Sequence, residues 1–117
     1  MNEYCIYHNP RCSKSRATLS LLEGRGISPE IVLYLDAPPS VERLKELLSK
    51  LGIGAAALLR RGEDDYKTSG LGADSSEDAV IAAMVSHPKL IERPIVVRGE
   101  RAVLGRPPEN VLALIDG

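Results

Sequence analysis

Residues 3–35 change their hydrophobic period twice, and this change constrains the fold more than any other feature of the chain. "EYCIY" is short, β-rich and closed by "HNP", which reads as a strand entering a loop. In the next stretch, "CSKSRATLSLLEGRG", Thr18, Leu21 and Leu22 share a helical face, and Gly24 and Gly26 offer C-terminal stops. "EIVLYL" then reads as a second strand, broken by "DAPPS". Strand, helix and strand in that order predict a parallel pair joined by a right-handed crossover.

The middle of the chain reads as helical. Ser40 caps a helix in which Val41, Leu44, Leu47, Leu48 and Leu51 recur at helical spacing, ended by Gly52. A short helical turn is expected at "AAALLRR" and a solvated loop at "RRGEDDYKTSG". Ser75 and Asp78 offer a capping box for "SSEDAVIAAMVSH", which Pro88 stops. "PIVVRGERAVL" reads as two strands folded around Arg98, Gly99 and Glu100, and "RPPENVLALI" as a closing helix with Pro in its first turn. The order β-α-β, helical middle, β-β-α predicts an α/β fold. Its outline is a thioredoxin-like mixed four-stranded sheet flanked by helices, with a helical insertion between the halves.

With 117 residues the chain fits one domain, taken as residues 1–117, and can bury a single core. It has no Phe, no Trp and four Tyr, so that core must be built from Leu, Ile, Val and Ala, and base-stacking platforms for single-stranded nucleic acid are not expected. A formal net charge of −1 with intermixed signs leaves no global field for DNA or anionic lipid. The N-terminal "MNEYCIYH" has no signal-peptide pattern and no run reaches membrane-spanning length, so a cytoplasmic location is expected, with no nucleic-acid or membrane partner. Two cysteines do not make a disulfide framework; in a reducing cytosol a thiol is core filler or a reactive group.

The stretch "HNPRCSKSR" decides between those two roles for Cys12. At the first turn of a helix its sulfur faces unpaired backbone N–H groups and the positive end of the macrodipole, and Arg11, Lys14 and Arg16 add positive potential. Such placements lower a thiol pKa from roughly 8.5 to about 3.5–7.5, which makes the sulfur a nucleophile at neutral pH. The same N–H groups would hold an oxyanion. His8 is placed to stabilise the thiolate, by hydrogen bonding or as a cation, while Asn9 and Pro10 shape the loop. The alternative is an inert thiol at a helix start.

"YHNPRCSKSR" resembles the His-Asn-Pro-x-Cys-x-x-Ser-Arg signature of the glutaredoxin-linked arsenate reductases, the ArsC-like family. "YLDAPPS", "LLRRGE", "IERPIVV" and "GRPPE" resemble the family's other blocks, in the same order and over essentially the whole chain. The resemblance implies that Cys12 attacks arsenate, that Arg60, Arg93 and Arg106 hold the oxyanion, and that His8 tunes the thiolate. Asn9, Ser15 and Arg16 of the signature and Pro94 of "ERPI" are supporting residues. A Pro opening the third strand of this fold is typically cis and lies against the reactive thiol. Arg61 competes with Arg60 for the first arginine position, and Arg60 is preferred because it directly follows "ALL". No resident cofactor is implied. Glutathione serves as cosubstrate and glutaredoxin as partner, releasing arsenite.

The arginines also make sense physically. Arsenate carries one to two negative charges at neutral pH, and planar guanidinium forks pair with tetrahedral oxyanions through paired hydrogen bonds. Arg93 precedes the third strand and Arg106 follows the fourth, so a hairpin brings both to one end of the sheet. A phosphatase-type Cys-x5-Arg loop is absent, since Thr18 stands six residues after Cys12, and Ser15 rules out a Cys-x-x-Cys dithiol. Cys5 lies mid-strand and reads as core. Cys5, His8 and Cys12, with His87 as a fourth candidate, have the wrong spacing for a closed zinc knuckle. Two other readings stay open. One is a redox-responsive regulator of the Spx type, which binds RNA polymerase and usually carries Cys-x-x-Cys; the other is a related scaffold acting on another oxyanion or thiol.

Overall fold

The structure, a computed structural model, describes residues 3–72 and 74–116. These fall into two compact units, one from residues 1–37 and 93–117 and the other from residues 38–92. The second is the helical insertion expected between the β-α-β and β-β-α halves.

The first unit holds a four-stranded sheet of strands β1 (Tyr4–Tyr7), β2 (Glu30–Val32), β3 (Ile95–Arg98) and β4 (Arg101–Leu104) in the order β2-β1-β3-β4. β1 and β2 are parallel, while β3 is antiparallel to both β1 and β4. This is the mixed α/β sheet predicted above. Helix α1 (Ser13–Gly24) links the parallel pair. Period-two alternation sends Tyr4 and Ile6 to one face, where they join Leu22 of α1, Val96 of β3, and Val111 and Leu114 near the C-terminus in one buried cluster. Each fully buried Leu or Ile of this kind stabilises the fold by about 1.5–3 kcal/mol, taken as an upper range. β3 and β4 turn through Gly99 and Glu100, with Arg98 opposite Arg101. Gly99 has φ of 60°, the positive value that the first central position of a II′ hairpin turn requires.

The second unit carries α2 (Val41–Leu51), α3 (Ala55–Leu58), α4 (Asp64–Thr68) and α5 (Glu77–Ser86). Ser40 accepts a hydrogen bond from the Arg43 N–H at 3.1 Å and Gly52 closes α2, as expected. Leu44, Leu47 and Leu48 of α2 and Val80, Ile81 and Met84 of α5 are buried, and the two helices pack together. No helix among the described residues is long and apolar enough to cross a membrane.

Five local expectations are corrected. β2 ends at Val32 rather than Leu35, because the carbonyl of Leu33 accepts from the N–H groups of Asp36 and Ala37 and folds the rest of the run into a turn around buried Tyr34. The N-cap of α5 is Ser76, whose Oγ accepts from the Ala79 N–H at 3.1 Å; Ser75 instead accepts from the Gly72 N–H at 2.9 Å. The polar stretch expected as loop contains α4. The closing segment begins as a 3-10 turn at Pro108–Val111 and becomes helix α6 only over Leu112–Asp116. Cys5 lies mid-strand but is half-buried rather than core.

Candidate active site

β1 delivers the chain to a loop that is tied back on itself before α1 begins. The carbonyl of Asn9 accepts from the Cys12 N–H at 3.0 Å, the Asn9 side-chain oxygen accepts from the Arg11 N–H at 3.0 Å, and the Arg16 guanidinium donates to the Pro10 carbonyl at 2.9 Å. Asn9 and Arg16 thus both hydrogen-bond within the loop. The loop leaves Cys12 as the N-cap of α1 with extended backbone, φ −95° and ψ 123°, and largely buried.

Burial alone would raise the Cys12 pKa. That effect is outweighed by the Ser15 N–H, then the Arg93 guanidinium, the Lys14 N–H and the Arg106 guanidinium, and the thiol ends below its ordinary range. One part of the sequence reading changes here. The cations that act on the sulfur are Arg93 and Arg106, from the far end of the chain, rather than the neighbours Arg11, Lys14 and Arg16, whose side chains lie on exposed residues.

The β3–β4 hairpin explains how Arg93 and Arg106 come together. Ile95 pairs with Leu104, and one step further the Gly105 N–H donates to the Pro94 carbonyl at 2.9 Å. Arg93 and Arg106 flank that closing bond, and the Arg106 guanidinium donates to the Arg93 carbonyl at 3.4 Å. Pro94 is buried and the Arg93–Pro94 peptide is cis, as the resemblance implied; the Arg106–Pro107 peptide is also cis.

His8 is buried, and its Nδ1 lies 2.7 Å from Ser15 Oγ. Burial first, and the Arg16 charge second, push its pKa below the ordinary imidazole value against a weaker upward pull from Glu23. Of the two roles left open for His8, hydrogen bonding is the one this environment favours; a standing cation at neutral pH is disfavoured. The Ser15 oxygen also accepts from the Asn9 N–H at 3.0 Å, so the serine joins both sides of the loop.

The structure thus brings together Cys12, His8, Asn9, Ser15, Arg16, Arg93, Pro94 and Arg106 in one unit. Arg60 belongs to the other unit, where its guanidinium pairs with Glu63 at 3.1 Å and Glu92 at 3.6 Å and donates to the Lys89 carbonyl at 3.4 Å. Its backbone N–H donates to the Leu90 carbonyl at 2.8 Å, while Arg61 is exposed. Sequence reasoning put Thr18 on one helical face with Leu21 and Leu22 and passed over its hydroxyl; the residue is fully buried and its Oγ1 lies 3.3 Å from the Gly105 carbonyl. A polar β-branched residue on the apolar face of α1 was the available signal.

Comparison with known proteins identifies the family. Residues 7–114 match the ArsC family. The chain is 56% identical over 113 residues to the uncharacterized protein YfgD of Escherichia coli strain K12, covering 94% of each. It is 50% identical over 117 residues to an arsenate reductase of Neisseria meningitidis serogroup A, covering 98% of this chain and all of the relative. Among solved structures, an arsenate reductase from Vibrio cholerae superposes with a TM-score of 0.90 at 54% identity, covering 94% of this chain and 95% of that one.

Proposed function

The chain belongs to the ArsC family, and from that premise we propose that it reduces arsenate to arsenite through the single nucleophile Cys12, with glutathione and glutaredoxin supplying the electrons. The observation that carries this reading is the placement of the Cys12 thiol as N-cap of α1, where the Ser15 N–H first, then the Arg93 guanidinium, the Lys14 N–H and the Arg106 guanidinium, hold it below its ordinary pKa. A nucleophile and an oxyanion cradle share one site.

The steps follow from the charges. Arg93 and Arg106 draw in the arsenate and neutralise its oxygens, and Arg60 is the third fork that the family resemblance implies. The thiolate attacks arsenic(V), an As–O bond breaks, and the oxygen leaves as water once protonated, which gives a thioester-like arsenate adduct on Cys12. Two outside thiols complete the reduction. They are oxidised together to one disulfide, arsenic passes from the +5 to the +3 state, and Cys12 departs as the thiolate with release of arsenite. Ser15 cannot supply the second thiol, and its hydroxyl is engaged by His8 and Asn9. An outside thiol is therefore needed, and glutathione with glutaredoxin is the source that the family resemblance implies; a reducing cytoplasm suits it.

The test is arsenate-dependent NADPH oxidation coupled through glutaredoxin and glutathione reductase. Turnover in the wild-type protein and none in Cys12→Ser is the expected result, because a serine hydroxyl is almost fully protonated at neutral pH and lacks sulfur's redox chemistry. Full activity in Cys12→Ser would end the mechanism. A folded wild-type protein that is inactive with every glutaredoxin supplied would favour another oxyanion or a regulatory role.

A further inference from the structure

Helix α1 carries the nucleophile and the β3–β4 hairpin carries two arginines, so something must fix the distance between them. The structure places one tight contact there. Thr18, six residues beyond Cys12 on α1, is fully buried, and its Oγ1 lies 2.8 Å from the Lys14 carbonyl and 3.3 Å from the Gly105 carbonyl. Gly105 is buried between that threonine and the Pro94 ring. A Cβ built on Gly105 would stand 2.5 Å from Thr18 Oγ1, 2.8 Å from Pro94 Cγ and 2.9 Å from Thr18 Cγ2. All three distances are shorter than carbon can approach, so no residue larger than glycine fits without moving α1, the hairpin, or both.

Gly105 directly precedes Arg106, Pro94 directly follows Arg93, and the two are joined by the Gly105 N–H to Pro94 carbonyl bond. We propose that Thr18 and Gly105 are positioning residues, a spacer that sets how closely the Arg93–Arg106 pair approaches Cys12. Neither needs to touch substrate. Thr18 fits the task because it is branched at Cβ and held in one rotamer by its back-bond to Lys14, so its methyl and hydroxyl present a fixed surface to the glycine. The role in turnover rests on the arsenate reductase reading. The effect on the thiol does not, since it depends only on the distance between sulfur and guanidinium.

The experiment measures Cys12 alkylation by iodoacetamide against pH, with and without sulfate or arsenate as a protecting anion, beside arsenate turnover. In Gly105→Ala, checked by circular dichroism to be folded, the alkylation profile is expected to move to higher pH and anion protection to weaken. Arsenate kcat/KM is expected to fall about 100-fold, the scale of an ångström-sized misplacement. Thr18→Ala in the Gly105→Ala background removes two of the three clashing atoms and is expected to recover at least about tenfold of the loss, a coupling that independent sites would not show. A folded Gly105→Ala protein with the wild-type profile and wild-type protection would overturn the proposal.

Should Gly105→Ala fail to fold, Thr18→Ala in the wild-type background carries the test, because it removes both the methyl and the hydroxyl that face Gly105. A loss of anion protection of about threefold or more is expected, of the order of one hydrogen bond; unchanged protection and an unchanged profile would overturn the proposal. A wild-type protein without arsenate turnover would count against the proposed reaction alone, since the alkylation profiles would still report on the spacer.

Discussion

Nδ1 of His8 lies 2.7 Å from Oγ of Ser15, with both side chains buried. The serine oxygen also accepts from the Asn9 N–H, so this one hydroxyl serves both the imidazole and the loop backbone. One hydroxyl therefore ties the last residue of the β1 extension, the loop and α1 together. Ser15→Ala would leave the buried Nδ1 and the Asn9 N–H without this partner. A stability loss of about 1–3 kcal/mol is expected, the range for an unmade buried hydrogen bond, read from urea unfolding midpoints. A loss below a few tenths of a kcal/mol would show that water replaces the hydroxyl.

His8 also makes stability depend on pH in a definite direction. Burial and Arg16 lower its folded pKa, so below about pH 6.5 the unfolded chain takes up a proton that the folded state resists. Stability is full above that value and falls as pH drops toward the folded pKa. His8→Gln is expected to flatten the slope of unfolding free energy between about pH 7 and 5.5, beyond what carboxylates contribute at lower pH. An equal slope in both proteins would assign the effect elsewhere.

The start of α5 offers a one-residue discrimination. Ser76→Ala removes the N-cap oxygen that accepts from Ala79 and is expected to cost about 1 kcal/mol. Ser75→Ala removes only the loop bond to the Gly72 N–H and should cost less. Thermal unfolding of the two variants side by side gives the answer, and a larger cost for Ser75→Ala would move the cap.

Much of the site was legible because it follows from local rules. Cys12 caps a helix since a strand, a Pro-containing loop and a helical period meet there. Arg93 and Arg106 meet because a hairpin must return to its own start, and the Ile95–Leu104 pairing does this. What was not legible depends on contacts across sequence distance. The cations nearest to Cys12 in sequence were taken as its electrostatic partners, yet neighbours at a helix start can point to solvent while residues 81 and 94 positions away act on the sulfur. The Ser15 hydroxyl was readable as a missing thiol but not as a link to His8 and Asn9. "IVLYL" has strand composition throughout, and only the turn made by the Leu33 carbonyl shortens it. Paired serines before α5 satisfy the same capping preference, so composition cannot separate two registers one residue apart. The polar run around α4 has no apolar period to announce a helix.

The two arginines act on Cys12 in two separable ways, through charge on the thiolate and through hydrogen bonds to a bound anion. Lys keeps the charge and loses the planar fork, whereas Gln loses the charge. Arg93→Gln and Arg106→Gln are therefore expected to move the Cys12 alkylation profile to higher pH, the Arg93 variant more, since Arg93 is the stronger of the two influences on the thiol. The Lys variants should leave that profile nearer to wild type but weaken protection by sulfate or arsenate, by about tenfold for a charge-assisted hydrogen bond of roughly 1.5 kcal/mol. Cys5, half-buried in β1, serves as the internal reference for the labelling. Mass spectrometry after timed iodoacetamide treatment reads both thiols in one sample. Faster labelling of Cys5 than of Cys12 at neutral pH would refute the activated thiolate. Lys variants that match wild type in both measurements would show that charge alone does the work, whereas equal behaviour of the Lys and Gln variants would show that charge has no role separable from the fork.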